Sequence, residues 1–300
     1  MTTTEATAYN YVRRGIARTR AELARAMQVS RPTASTVTDS LISSGLLRDG
    51  GKCRSAGGRS PTLLVPRPEA FSLIGVDLNS SGRVFGVRVN AMGDVTERTG
   101  GEDAPESSER AAEEILSIWY RLDPEFTALG IGIAVGRTEE PGGGVLIKLL
   151  RRRLIGKYIH IAERLQAAAL SEGFRGSVGA DRNYMLLSLE DTLASVVCID
   201  GRPFTGAHGA AGELCRLPLA AAARDGSESL AAECADILGN VLAVLDPGAV
   251  VLAGRFPDAD GAFRRILRRR LNMFDCRIVA AKFGEFSAAR GAALQTHFSI

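Results

Sequence analysis

Arg31, Thr33, Ser35, Thr36 and Ser40 fall on one side of a short segment, and Ala34, Val37, Leu41 and Ile42 fall on the other. That spacing predicts a helix with an apolar stripe turned inward and a face of short hydroxyls and one arginine turned outward. Such a face suits base edges and phosphates in a DNA major groove, because small side chains let the helix backbone approach closely. The elements that must position it are written on both sides. Ser30 is a good N-cap, Pro32 is tolerated in the first helical turn, and Gly45 supplies a left-handed C-cap after Ser44. Upstream, Thr19 and Glu22 are spaced as a capping box, which predicts a short helix through about Met27 with Leu23 and Ala24 inward. Gln28 and Val29 make the tight turn between the two helices. A further helix is predicted over residues 5–17, with Ala8, Val12 and Ile16 on one face. Downstream, residues 46–54 and 61–65 read as a strand and its return around a glycine-rich wing at 55–60. Together these are the pattern of a winged helix-turn-helix. Its candidate DNA contacts are Arg20, Ser30, Arg31, Pro32, Thr33, Ser35 and Thr36, with Lys52, Arg54 and Arg59 placed to touch phosphates or the minor groove.

Charge supports that reading. Residues 1–68 carry eleven Lys or Arg against four Asp or Glu, a net +7, while the rest of the chain carries a net −4. A basic head on a mildly acidic body fits a head that meets a polyanion. The 300 residues are enough for two or three domains. No apolar run approaches the ~20 residues that span a membrane, and no apolar leader follows Met1, so a cytoplasmic protein is expected. Cys53, Cys198, Cys215, Cys234 and Cys276 are scattered and form no CxxC pair, as expected of packing thiols in a reducing compartment.

Beyond about residue 69 the pattern alternates buried strands and amphipathic helices, predicting an α/β body of two similar lobes. Strands are expected at 73–78, 83–89, 129–135, within 185–199 up to the turn Asp200-Gly201, and at 250–254. Helices are expected at 111–120, 159–170, 230–245 and 263–271.

Several stretches, in this order, resemble the ROK family (repressor, open reading frame, kinase): SRPTASTVTDSLISSGLL and GGRSPTLLV in the head, then IGVDLNSSGRVFGVRV, GIGIAV, IDGRPFTGAHGAAGEL and LDPGAVVLAGR. The family includes sugar kinases and repressors of N-acetylglucosamine and xylose genes. The resemblance implies an actin-like, hexokinase-like body over residues 69–300 and a DNA-binding head over residues 1–68. It implies a homodimer or tetramer on an inverted-repeat operator in double-stranded DNA, and a sugar or sugar-derived effector.

The departures from the family pattern bear on chemistry. Its kinases hold ATP phosphates on glycine-rich turns. Here the first reads Asp77-Leu78-Asn79-Ser80-Ser81, and the second falls at Glu190-Asp191-Thr192-Leu193-Ala194, so the glycines are gone and carboxylates stand where phosphates would. The family's Asn-Asp pair is matched to Ala180-Asp181, leaving Asp181 as a ligand-binding candidate. Glu213 survives as a candidate contact to sugar hydroxyls. Arg216 replaces the histidine of the family's structural zinc site, and no cysteine cluster follows, so neither metal nor other cofactor is expected. The chain is therefore expected not to be an enzyme. Two alternatives stay open: a sugar kinase, and a constitutive DNA-binding protein whose body only dimerises.

Overall fold

A computed structural model describes residues 2–52, 60–78, 83–103, 105–136, 142–189, 193–212, 214, 227–254, 256 and 261–298. Three helices open the chain. α1 spans Thr3–Arg13, α2 Arg20–Met27 and α3 Arg31–Ser43. The antiparallel pair β1 (Leu47–Lys52) and β2 (Thr62–Pro66) follows, giving the helix-turn-helix and the strands of a wing. Ala8, Tyr9, Leu23, Leu41, Leu47 and Leu64 meet in one small core beneath them.

The capping chemistry explains where these helices begin and end. Thr2 and Glu5 form a full capping box, and Gly15, in the left-handed region at φ 73°, follows the end of α1. α1 therefore stops four residues before the expected end, and Ile16 is 45% exposed rather than inward. Thr19 caps α2 by accepting from the Glu22 N–H, but the Glu22 carboxylate accepts from the Arg18 N–H instead of closing a box on Thr19. Ser30 caps α3 as expected. On α3 the buried positions are Ala34, Thr38 and Leu41, and Thr38 satisfies its hydroxyl by donating to the Ala34 carbonyl at 2.7 Å.

The body holds two five-stranded sheets of matching topology. The first comprises β3 (Ser72–Leu78), β4 (Arg83–Asn90), β5 (Val95–Asp103), β6 (Gly130–Val135) and β7 (Tyr158–Glu163), in the order β5-β4-β3-β6-β7. The second comprises β8 (Tyr184–Leu189), β9 (Leu193–Ile199), β10 (Arg202–Phe204), β11 (Ala249–Gly254) and β12 (Arg277–Ala280), in the order β10-β9-β8-β11-β12. Each is an antiparallel meander extended by two parallel strands. Asp200 and Gly201 both adopt positive φ, which matches the twist of the β9–β10 hairpin they join.

Helices cover these sheets: α4 (Ser108–Leu122), α5 (Gly142–Arg153), α6 (Arg164–Gly173), α7 (Ser227–Leu245), α8 (Ala262–Arg270) and α9 (Ser287–Phe298). The helix expected over 159–170 is corrected: residues 158–163 are β7, and α6 begins only at Arg164. Alternating Ile159 and Ile161 pair with Ile131 and Ile133 of β6, and Glu163 caps α6 through both carboxylate oxygens.

α9 follows the second lobe in sequence yet packs on β3 and β6 of the first. It can do so because Gly75 and Gly132 present no Cβ; one built there would lie 1.9 Å from the Ala289 and Ala292 carbonyl oxygens. Gly75→Val is expected to lower stability by about 3 kcal/mol, because the backbone contact cannot relax. Urea unfolding checks this, and a loss under about 1 kcal/mol would contradict it.

Candidate nucleic-acid interface and inter-lobe cleft

Of the expected DNA contacts, Ser30, Arg31, Pro32, Thr33 and Thr36 are exposed and Ser35 is half-buried along α3. Ser30 Oγ and Thr33 Oγ1 lie 2.8 Å apart, and Thr36 Oγ1 donates to the Pro32 carbonyl at 3.1 Å. These bonds fix the hydroxyls close to the helix while leaving lone pairs to accept. Lys52 is exposed at the end of β1. Arg20 is placed differently: its guanidinium bridges Asp39 at 2.8 Å and Asp49 at 3.6 Å, so it braces α2 against α3 and β1. Ser40 donates to Glu5 Oε1 at 2.6 Å and ties α3 to α1. Sequence reasoning missed Arg25, which lines a groove at the α2–α3 turn together with Gln28 and Arg31. Its sequence signal is an arginine in the last turn of α2, just before the turn to α3. Arg54 and Arg59 lie outside the described residues.

α1 belongs to the head by packing and also grips the body. Tyr9 Oη and Arg13 Nη1 both donate to the Ala91 carbonyl, at 3.3 and 3.1 Å. The buried Arg13 guanidinium stacks 4.7 Å from the Phe174 ring centroid. Burial lowers its pKa to about 10, so it remains charged at neutral pH. Arg290, almost fully buried, lies 5.8 Å from the same ring and 4.0 Å from that of Phe283. Arg290 also donates to the carbonyls of Gly93, Ser171 and Phe174. Beside it the buried Glu172 accepts from the backbone N–H groups of Ser177, Lys282 and Phe283 and from the Ser287 hydroxyl.

Phe283 and Ser287 also line a cleft of about 810 Å³ between the lobes. The first lobe contributes Arg83, Phe85 and Arg98 to it, and the second contributes Ser188 and the 252–254 end of β11. Arg164, at the start of α6, lies in its wall, and its Nε is 3.0 Å from each oxygen of the fully buried Asp77. The buried Asp77 carboxylate is thus engaged through both oxygens by a cation that itself lines the cleft.

Asp181 is corrected. It is not in the cleft. It sits before β8, pairs with Arg277 at the start of β12, and lies against Gly248, just before β11. That is the far end of the second sheet, because β8, β11 and β12 run parallel and their C-terminal ends form the cleft. Glu213 and Arg216, and the turns at 79–81 and 190–192, lie outside the described residues. Among the described residues no cluster of three His, Cys, Asp or Glu could hold a metal ion. No described helix is long and apolar enough to cross a membrane. Burial pushes the thiols of Cys198 and Cys276 up to about 11 and that of Cys234 up to about 12, which keeps them protonated and unreactive. Cys53 and Cys215 lie outside the described residues.

The chain matches no family model. It is 29% identical over 214 residues to the xylose repressor of Caldicellulosiruptor bescii, a match that covers 65% of this chain and 53% of the repressor. The chain thus spans about half the length of that curated relative. Among solved structures, a ROK family transcriptional regulator, a homologue of the E. coli MLC protein, superposes with a TM-score of 0.73 at 16% identity, covering 98% of this chain and 96% of the regulator. A ROK family glucokinase from Streptomyces griseus, with glucose and AMPPNP, superposes with a TM-score of 0.59 at 17% identity. That match covers 75% of this chain and 98% of the glucokinase.

Proposed function

We propose that this chain, a ROK protein by fold and by its sequence relatives, is a DNA-binding transcriptional repressor whose two-lobed body senses a small molecule. Residues 1–68 are the DNA-binding unit and residues 69–300 the effector-sensing and dimerising unit. One observation carries this reading: an exposed face of arginine and short hydroxyls on the second helix of a helix-turn-helix, built onto a body with an open cleft. The regulator superposes over nearly the whole chain, whereas the glucokinase superposes over three quarters of it. The second point is chemical. Asp77 is buried behind Arg164 in the cleft wall and paired with it, which supports sensing over phosphoryl transfer.

On this reading the protein works in the cytoplasm as a homodimer or tetramer and places two α3 helices on an inverted repeat. A sugar or sugar-derived effector enters the cleft, with Glu213 and Arg216 as its proposed contacts. The test is selection from genomic DNA followed by footprinting. Each phosphate contact should add a slope of roughly −0.9 to log K against log salt. Arg31→Ala should weaken operator binding by about 1–3 kcal/mol if it reads a base. Absence of any sequence-specific binding at low salt would refute the reading, as would hexokinase turnover abolished by Asp77→Asn.

A further inference from the structure

We infer that the seam between head and body holds a second ligand site, shaped for an organic carboxylate with an apolar body. The site goes beyond the sensing role of the inter-lobe cleft, because the two cavities are lined by different residues. The seam cavity measures about 350 Å³. The end of α1, the loop after it and β2 form its head side, and Met92 and Arg175 form its body side. A mostly apolar hollow with a few placed polar groups is the usual form of a small-molecule site.

Strand alternation makes the floor apolar. Leu64 turns into the core of the head, so Leu63 and Val65 turn to the other face of β2, where both stay half-buried. Val12 and Met92 complete that floor. The rim is cationic, and its four arginines differ in what they can do. Arg13 is buried, donates to the Ala91 carbonyl and lies over Phe174, so it serves as a wall. Arg175 is answered by Asp94 at 3.4 Å. Arg14 and Arg18 are exposed at the mouth. The nearby Glu22 carboxylate accepts from the Arg18 backbone N–H at 2.8 Å. Like charges crowd Arg14. Partial desolvation, and then Arg182 and Arg202 of the second lobe, lower its pKa, and Arg182 is itself paired with Asp200 at 3.5 Å. An anion at the mouth relieves that crowding. A guanidinium meets a carboxylate with two parallel bonds. The floor selects the other end of the ligand: hydrocarbon covers Leu63, Val65 and Met92 favourably, whereas hydroxyls pressed against them would give up water for no return.

The test is calorimetry on the full chain with benzoate, 4-methylpentanoate, benzamide and inorganic phosphate. Both carboxylates are expected to bind. Benzamide has the shape of benzoate without the charge and should bind at least about tenfold more weakly. Arg14→Gln with Arg18→Gln should lose at least about tenfold in benzoate affinity. Met92→Glu sets a carboxylate of the protein's own beside the arginines and should abolish binding, whereas Met92→Leu should retain it. Circular dichroism confirms that each variant folds. No binding by either carboxylate would overturn the inference. So would benzamide or inorganic phosphate binding as tightly as benzoate, or unchanged benzoate affinity in the double arginine variant. Duplex DNA is titrated in parallel: weaker DNA binding by the double variant, with no carboxylate bound by the wild type, would assign Arg14 and Arg18 to the DNA backbone and overturn the inference as well.

Discussion

Arg164→Met is expected to destabilise the protein by about 3–5 kcal/mol, because it strips a fully buried carboxylate of its cation. Asp77 lies on β3 between β4 and β6, with Val76 and Ile74 of the same strand in the first lobe's core. The double change Asp77→Leu with Arg164→Met removes both charges and keeps the volume. It should recover most of the loss, since well-packed apolar replacements of buried pairs are often neutral. Urea unfolding of the four proteins gives the coupling energy directly. A loss below about 1 kcal/mol in Arg164→Met, or no recovery in the double variant, would mean that the pair does not hold the lobe together.

Local signals were legible in the sequence where both ends of an element carried chemistry. α3 was bounded by Ser30 and Gly45, and its inward stripe followed from period alone. The signals failed where a neighbour decided the outcome. Residues 159–170 contain an apolar run that fits a helix or a strand, and pairing with β6 made its first part β7. The cap of the helix that follows is Glu163, an unusual residue for that role. The match of Ala180-Asp181 to the family's Asn-Asp pair makes Asp181 a ligand-binding candidate on motif alone. A cleft made at the C-terminal ends of parallel strands cannot hold a residue that precedes one of them. The grip of α1 on the body was invisible for a different reason. Arg13 and Phe174, and Phe174 and Arg290, are brought together only by the fold, and none has a neighbour in sequence that hints at it.

That grip sets the other large expected effect. Phe174→Ala should lower stability by about 3–5 kcal/mol, since the ring is nearly buried and faces two guanidinium groups. Phe174→Leu is the more informative change. It keeps most of the volume, so the loss should stay under about 1.5 kcal/mol. It removes the π face that Arg13 of the head and Arg290 of the body share. The physical chain from the cleft is short. Lys282, Phe283 and Ser287 line the cleft and bond Glu172, Arg290 stacks on Phe283 and bonds the Phe174 carbonyl, and Phe174 meets Arg13 on α1. A ligand that shifts the 282–287 segment therefore changes how α1 is held, and α1 is tied to α3 through Glu5 and Ser40. Coupling between two sites is commonly about 1–3 kcal/mol, or 5–150-fold in affinity. In Phe174→Leu the operator affinity without ligand should stay near that of the wild type, while its change on adding a sugar or sugar-derived effector should shrink several-fold. The measurement is operator affinity with and without ligand in both proteins, alongside direct ligand binding. An unchanged ligand response in a folded Phe174→Leu protein would show that the signal does not pass through this ring. A lost response with unchanged ligand affinity would place the connection between cleft and head at Arg13 and Phe174.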